Sequence, residues 1–245
     1  MSLNKFKVYI SIPAYDGKMA LETGMSLLNN IRVLEKAGYE CFIDSVLGDC
    51  YIENARNKLC KSFLMSNCEN MVFVDNDLSF DNNAILKLLS RPVDIIGGAY
   101  PYRDPKKSTF PVSIMLDENA IPVGDPAHGI IKAHFVPTGL MRITRAALEA
   151  MKDENWLEQP SNKEETPTYR FFRQGLGFAI GLDKEDKRWI GEDVFFCSDA
   201  NRKGIQVWCD PRIAFEHFGK IGTKGCYHEY LLKNGVSEED KKKAA

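Results

Sequence analysis

The stretch Met71-Val72-Phe73-Val74-Asp75-Asn76-Asp77 decides the fold. Four consecutive apolar residues fit a short strand buried on both faces, as the central strands of a parallel sheet are. The strand runs straight into two carboxylates separated by one residue. The acids therefore sit at its carboxyl end, the edge at which open α/β sheets bind ligands. Where the backbone turns at a strand end, both side chains of an Asp-x-Asp can reach one divalent cation, and oxygen ligands suit Mg2+ or Mn2+. The tripeptide is common in turns; its place after a buried strand is what favours the metal reading of Asp75 and Asp77.

Working outward, the first strand, Lys7 to Ile12, ends at the loop Pro13-Ala14-Tyr15-Asp16-Gly17. Leu21, Met25, Leu28, Ile31 and Leu34 recur at spacings of three and four and predict a helix packing that face on the sheet, with Gly38 as its stop. A second unit pairs the strand Glu40 to Asp44 with a helix whose Ile52, Ala55, Leu59 and Phe63 share a face, with Arg56 and Asn57 beside it. Beyond the acids come a helix over about 82–90 and the strand Val93 to Ile96, leading to Gly97-Gly98, where missing side chains let a ligand or another backbone approach. The second half is less regular, with strands expected at 112–116, 130–136 and 205–209 and helices at about 145–151 and 192–203. Segment 152–188 is rich in charged and turn residues but holds Tyr169, Phe171, Phe172 and Phe178, and reads either as a mobile active-site loop or as a surface excursion. The Lys-rich end, about 236–245, is expected to fray. The alternation of strands and helices predicts one α/β domain over residues 1–245, Rossmann-like, with a mixed, mostly parallel sheet flanked by helices.

With 245 residues, 44% hydrophobic and 27% charged, the chain can bury a full core. No run approaches the roughly 20 apolar residues that span a bilayer, so no membrane insertion is expected. The first residues lack the features of a signal peptide, and seven cysteines without a C-x-x-C pair do not make a disulfide framework. A reducing, cytoplasmic setting is expected, or the host cytoplasm for a viral or phage chain. A net charge of −2 gives no global drive towards nucleic acid. The clusters Arg103, Lys106, Lys107 and Arg202, Lys203 read chiefly as solvated surface charge.

Four segments in order, Pro13-Ala14-Tyr15, Ala55-Arg56-Asn57, Val72-Phe73-Val74-Asp75-Asn76-Asp77 and Gly191-Glu192-Asp193, resemble those of glycosyltransferases with the A-type fold, family-2-like and nearest in character to small bacterial, phage and viral members. The resemblance covers residues of about 7 to 219. It implies that Pro13, Ala14, Tyr15 and Asp16 surround the base and ribose of a UDP- or GDP-sugar, and that Arg56, Asp75 and Asn76 hold nucleotide or diphosphate. It further implies a metal on Asp75 and Asp77, with His217 as a third ligand that tilts the choice towards Mn2+. Thr138 and Gly139 would face the sugar. Asp193, with Glu192 as the alternative, would take the proton from the acceptor hydroxyl. For His217, packing in the core among Phe215 and Phe218 competes with the ligand role, and Trp189 reads as a sugar platform or as core. The default acceptor is a saccharide, with a hydroxylated DNA base or a protein side chain as less favoured choices; inversion or retention and oligomeric state stay open. Two alternatives compete: a nucleotidyltransferase acting on a sugar phosphate, and a non-catalytic sugar-nucleotide-binding module. The loop at Pro13 to Gly17 is neither Gly-rich nor basic, which weighs against the first, and the joint presence of Asp75, Asp77, Asp193 and His217 weighs against the second.

Overall fold

The computed structural model describes residues 6–103, 109–153, 157–158, 167–177, 187–219, 223–236 and 241. The first half comprises β1 (Phe6–Ala14), α1 (Leu21–Lys36), β2 (Tyr39–Leu47), α2 (Ile52–Met65), β3 (Asn70–Val74), β4 (Leu78–Phe80), α3 (Ala84–Leu89) and β5 (Ile95–Gly98). Then follow β6 (Ser113–Ile114), β7 (Gly124–Asp125), β8 (Ile130–Phe135), β9 (Leu140–Thr144) and α4 (Arg145–Met151). The short strands β10 (Leu157–Glu158), β11 (Thr168–Tyr169), β12 (Gly175–Gly177) and β13 (Arg188–Ile190) precede α5 (Glu192–Arg202), β14 (Val207–Asp210), β15 (Ala214–His217), β16 (Thr223–Cys226) and α6 (Tyr227–Asn234). A nine-stranded sheet has the order β2-β1-β3-β9-β5-β14-β8-β6, with β7 also on β8. Only β8 and β9 run against its other strands, which is the mixed, mostly parallel sheet expected from the sequence.

Side chains alternate between two apolar layers, as strand geometry requires. Tyr9, Met71, Phe73, Ile95, Met141 and Ile143 meet α2, α4 and α5 on one face. Val8, Ile10, Val72, Val74, Ile96 and Leu140 meet α1 and α3 on the other. Two arginines fasten helices to this core. Arg142, fully buried on β9, donates to the carbonyl of Leu88 in the last turn of α3 and to those of Arg91, Val93 and Asp94 just past it. Arg145, three residues on, donates to those of Phe63, Leu64, Ser66 and Cys68 at the end of α2. Both supply charged donors to carbonyls clustered at a helix terminus and the turn after it.

The structure corrects several expectations. Helix α1 packs only the C-terminal part of its predicted stripe: Leu34 is buried and Ile31 rests on the core, but Leu21, Met25 and Leu28 are 76%, 50% and 42% exposed, and Thr23, Ser26, Leu27 and Asn30 turn inward instead. Hydrogen bonding sets that rotation. Asn30 accepts from the Ile85 N–H at 3.0 Å and donates to the Asp81 carbonyl at 2.9 Å, and Ser26 Oγ accepts from the Phe80 N–H, so α1 pins β4 and the start of α3. Strand β1 continues through Pro13 and Ala14, and β5 takes in Gly97 and Gly98. What approaches those glycines is the core itself: a Cβ on Gly98 would lie 2.4 Å from Phe215 Cζ, and one on Gly97 2.9 Å from Val136 Cγ2. The expected strand at 112–116 shrinks to 113–114, and that at 205–209 shifts to 207–210. Within 152–188, Phe171 and Phe172 are core rather than lid, with Phe172 stacked on Phe196 at 4.4 Å and edge-on to Phe73 at 5.4 Å. Phe178 and most of the terminal tail lie outside the described residues.

Candidate active site

The acidic turn follows β3 directly. Its position is fixed from below, because the Asp75 N–H donates to the Gly139 carbonyl at 2.9 Å and β9 continues from that residue antiparallel to β3. Gly139 itself admits no side chain: a Cβ there would fall 2.6 Å from both Leu78 Cδ1 and the Tyr100 hydroxyl. Thr138 is also buried, its hydroxyl without a partner among the described residues. These two residues thus form the floor beneath the acids. From the side, Asn76 donates to the Lys18 carbonyl at 2.6 Å and accepts from the Ala20 N–H at 2.9 Å, lacing the turn to the loop after β1. On that loop Tyr15 is exposed and Asp16 accepts from the Lys18 N–H, whereas Pro13 and Ala14 are buried in the strand.

Asp75 and Asp77 face different partners. Asp75 meets Arg56, whose Nη2 lies 3.1 Å from Oδ1, and the other terminal nitrogen of Arg56 bonds Glu192 at the start of α5. Arg56 is buried against the rings of Phe73 and Phe172, so both terminal nitrogens are committed to carboxylates and the residue binds two pieces of the site together. Burial alone would lower the guanidinium's affinity for its proton; the two carboxylates outweigh it and raise that affinity. For Asp75 the balance tips the other way. Burial raises its pKa, and Arg56 offsets this only in part while Asp77 adds to it.

Asp193, beside Glu192, is pushed up to about 6, by burial first and by the Glu192 charge second, against the pull of Arg56 and the Val194 N–H that donates to it at 2.7 Å. Its carboxyl therefore exchanges a proton near neutral pH, which suits an acid–base role. Trp189, on β13, is exposed rather than core.

Asp77 belongs to a second cluster. His217, at the end of β15, donates from Nδ1 to the Pro101 carbonyl at 2.8 Å, which leaves Nε2 as the acceptor nitrogen, 3.7 Å from Asp77 Oδ2. A backbone partner on the far nitrogen is how a metal-binding imidazole is held in its working tautomer. The Phe218 N–H donates to the Asp77 carbonyl at 2.8 Å and locks the two segments together. One carboxylate and one imidazole suit a divalent cation that takes its remaining ligands from phosphate and water. Among the described residues no three His, Cys, Asp or Glu side chains are gathered for a metal ion, because Asp75 is turned to Arg56.

Two site residues escaped the sequence reading. Arg103, expected as surface charge, donates from Nε to His217 Nε2 at 2.9 Å and from a terminal nitrogen to Asp77. Tyr100 lies under Gly139 and edge-on to His217, and burial and then Asp75 hold its hydroxyl well above the usual tyrosine range. Both follow β5 at the carboxyl edge of the sheet, and that placement was the available signal. Arg202 and Lys203 remain surface charge, paired with Asp199 at 3.0 Å and Asp153 at 3.7 Å, while Lys106 and Lys107 lie outside the described residues.

No protein-family model matches the chain, and no curated protein matches it. Three similar solved structures have low identities. A glycosyltransferase involved in glycosylation of the major capsid of PBCV-1 is 12% identical, with a TM-score of 0.33 over 61% of this chain and 69% of that one. A glucose-1-phosphate thymidylyltransferase, so described, from Bacillus anthracis is 12% identical, with a TM-score of 0.37 over 63% and 76%. HddC from Yersinia pseudotuberculosis is 9% identical, with a TM-score of 0.31 over 81% and 97%. Every one of these TM-scores lies below 0.5. Among the described residues no helix is long and apolar enough to cross a membrane.

Proposed function

We propose that the chain is a metal-dependent glycosyltransferase that moves a sugar from a UDP- or GDP-sugar to an acceptor hydroxyl, most simply that of a saccharide. The observation that carries this reading is the Asp75–Arg56–Glu192 bridge, which joins the acidic turn to the helix start bearing Asp193. It supports a site with two jobs at one sheet edge. Asp77 and His217 hold the cation, and Tyr15, Asp16 and Asn76 border the nucleotide. Asp193 accepts the proton of the acceptor hydroxyl as its oxygen bonds to the anomeric carbon and the bond from that carbon to the diphosphate breaks. A bound Mn2+ or Mg2+ would supply charge stabilisation for the departing diphosphate.

The test is a panel of UDP- and GDP-sugars incubated with acceptor saccharides and Mn2+, scored for release of nucleoside diphosphate. Transfer that depends on Mn2+ and is lost in Asp77→Ala supports the proposal. Pyrophosphate release from a nucleoside triphosphate and a sugar phosphate would replace it with nucleotidyl transfer, and tight sugar-nucleotide binding without turnover would replace it with a binding module.

A further inference from the structure

Arg103 sits where the cation of the proposed site belongs. Its guanidinium spans the two donors, bonding Asp77 on one side and His217 Nε2, at 2.9 Å, on the other, while Asp77 Oδ2 and His217 Nε2 lie 3.7 Å apart. The two residues it spans are held by backbone groups. His217 is held by the Pro101 carbonyl, and the backbone of Asp77 by Phe218. Arg103 differs in exposure: its side chain is 60% exposed, and its stem lies alongside Gly219. An exposed arginine has little burial to lose on moving, whereas a bidentate guanidinium suits phosphate as well as carboxylate.

From this geometry we infer that Arg103 is a tethered cation that competes with the metal ion for Asp77 and His217 and, once displaced, binds the diphosphate of the nucleotide. The inference rests on the metal reading of the site given above and adds a device to it. With Arg103 in place the paired carboxylate and imidazole are neutralised without metal. Metal entry must first break charge-assisted hydrogen bonds, so metal alone binds weakly. When the diphosphate arrives with the metal, the released guanidinium gains a new anionic partner, and the two ligands reinforce one another through this single side chain.

The experiment is a Mn2+ titration of the full chain followed by electron paramagnetic resonance of the free ion, with and without UDP or GDP, on wild type, Arg103→Ala and Asp77→Ala. Arg103→Ala is expected to bind Mn2+ about ten-fold more tightly in the absence of nucleotide, the worth of one charge-assisted hydrogen bond. At saturating Mn2+ it is expected to bind the nucleoside diphosphate about ten-fold more weakly, since the displaced cation is gone. If Arg103→Ala binds Mn2+ no more tightly than wild type while Asp77→Ala binds none, the competition is refuted and the metal site stands. Unchanged diphosphate affinity in Arg103→Ala would refute the transfer of the guanidinium to phosphate. If no variant binds Mn2+ although circular dichroism shows all three folded, the metal reading fails and this inference fails with it.

Discussion

At the scale of single residues, Asp193 carries a penalty that is also its use. Its folded pKa of about 6 lies above the ordinary 3.8, so between those values the folded chain holds a proton that the unfolded chain has released. The protonated form stabilises the fold below about pH 4, and that stabilisation is lost as pH rises through about 6. Asp193→Asn removes the charge that burial opposes. The variant should therefore melt higher than wild type at pH 8 and show no such gain at pH 4; thermal scans at the two values decide, and an equal difference at both would mean that ionisation is not the cause. The same substitution should lower the transfer rate about 10²–10⁴-fold with donor binding intact, the usual contribution of a positioned base. Wild-type turnover should rise along an acid limb centred near pH 6, where this carboxyl deprotonates.

At the scale of elements, α2 is the organiser, and it works through polar groups that face inward. Glu53 accepts from the Gln174 side chain at 2.9 Å, and Asn57 pairs with the backbone of Phe172 through bonds of 2.7 and 2.8 Å. Between them, Arg56 spans Asp75 and Glu192. Arg56→Met keeps the bulk but strands two partly buried carboxylates, and should cost roughly 3–5 kcal/mol in urea unfolding, the usual loss when one partner of a buried ion pair is removed. A loss under about 1 kcal/mol would show the bridge to be no stronger than a surface pair. Hydrophobic periodicity reads apolar stripes, so it located α2 but could not show that Arg56 bonds Asp75 and Glu192. It located α1 but misplaced its first turns, where Ser26 and Asn30 turn inward for their hydrogen bonds and Leu21, Met25 and Leu28 face out. Asn30→Leu, which improves the apolar pattern, should nonetheless destabilise by about 1–3 kcal/mol, because the Ile85 N–H loses its buried acceptor. Leu28→Gln on the exposed stripe should stay within about 0.5 kcal/mol of wild type, and the same unfolding assay compares the two.

At the scale of the whole molecule, the sheet was legible because its central strand is uniformly apolar and ends in acids, a local signal that needs no partner to be read. The cluster around Asp77 was less so, since it is made by a second, three-stranded sheet, β16-β15-β4, whose pairing joins residues far apart in sequence. That sheet docks on the main one where Phe215 fills the space left by Gly98, and His217 stands two residues further along β15. The docking predicts a coupling between a core glycine and the proposed metal site. Gly98→Ala puts a methyl where Phe215 Cζ lies and should cost about 1–3 kcal/mol by overpacking. It should also push β15 away from β5, moving His217 relative to Asp77 and weakening Mn2+ binding, although neither ligand is altered. Phe215→Leu in the same chain makes room for the methyl, so the double variant should regain stability and Mn2+ affinity together. A double-mutant cycle by unfolding and by Mn2+ titration measures both; additive losses, with an interaction energy below about 0.5 kcal/mol, would mean that Gly98 does not position His217 through Phe215.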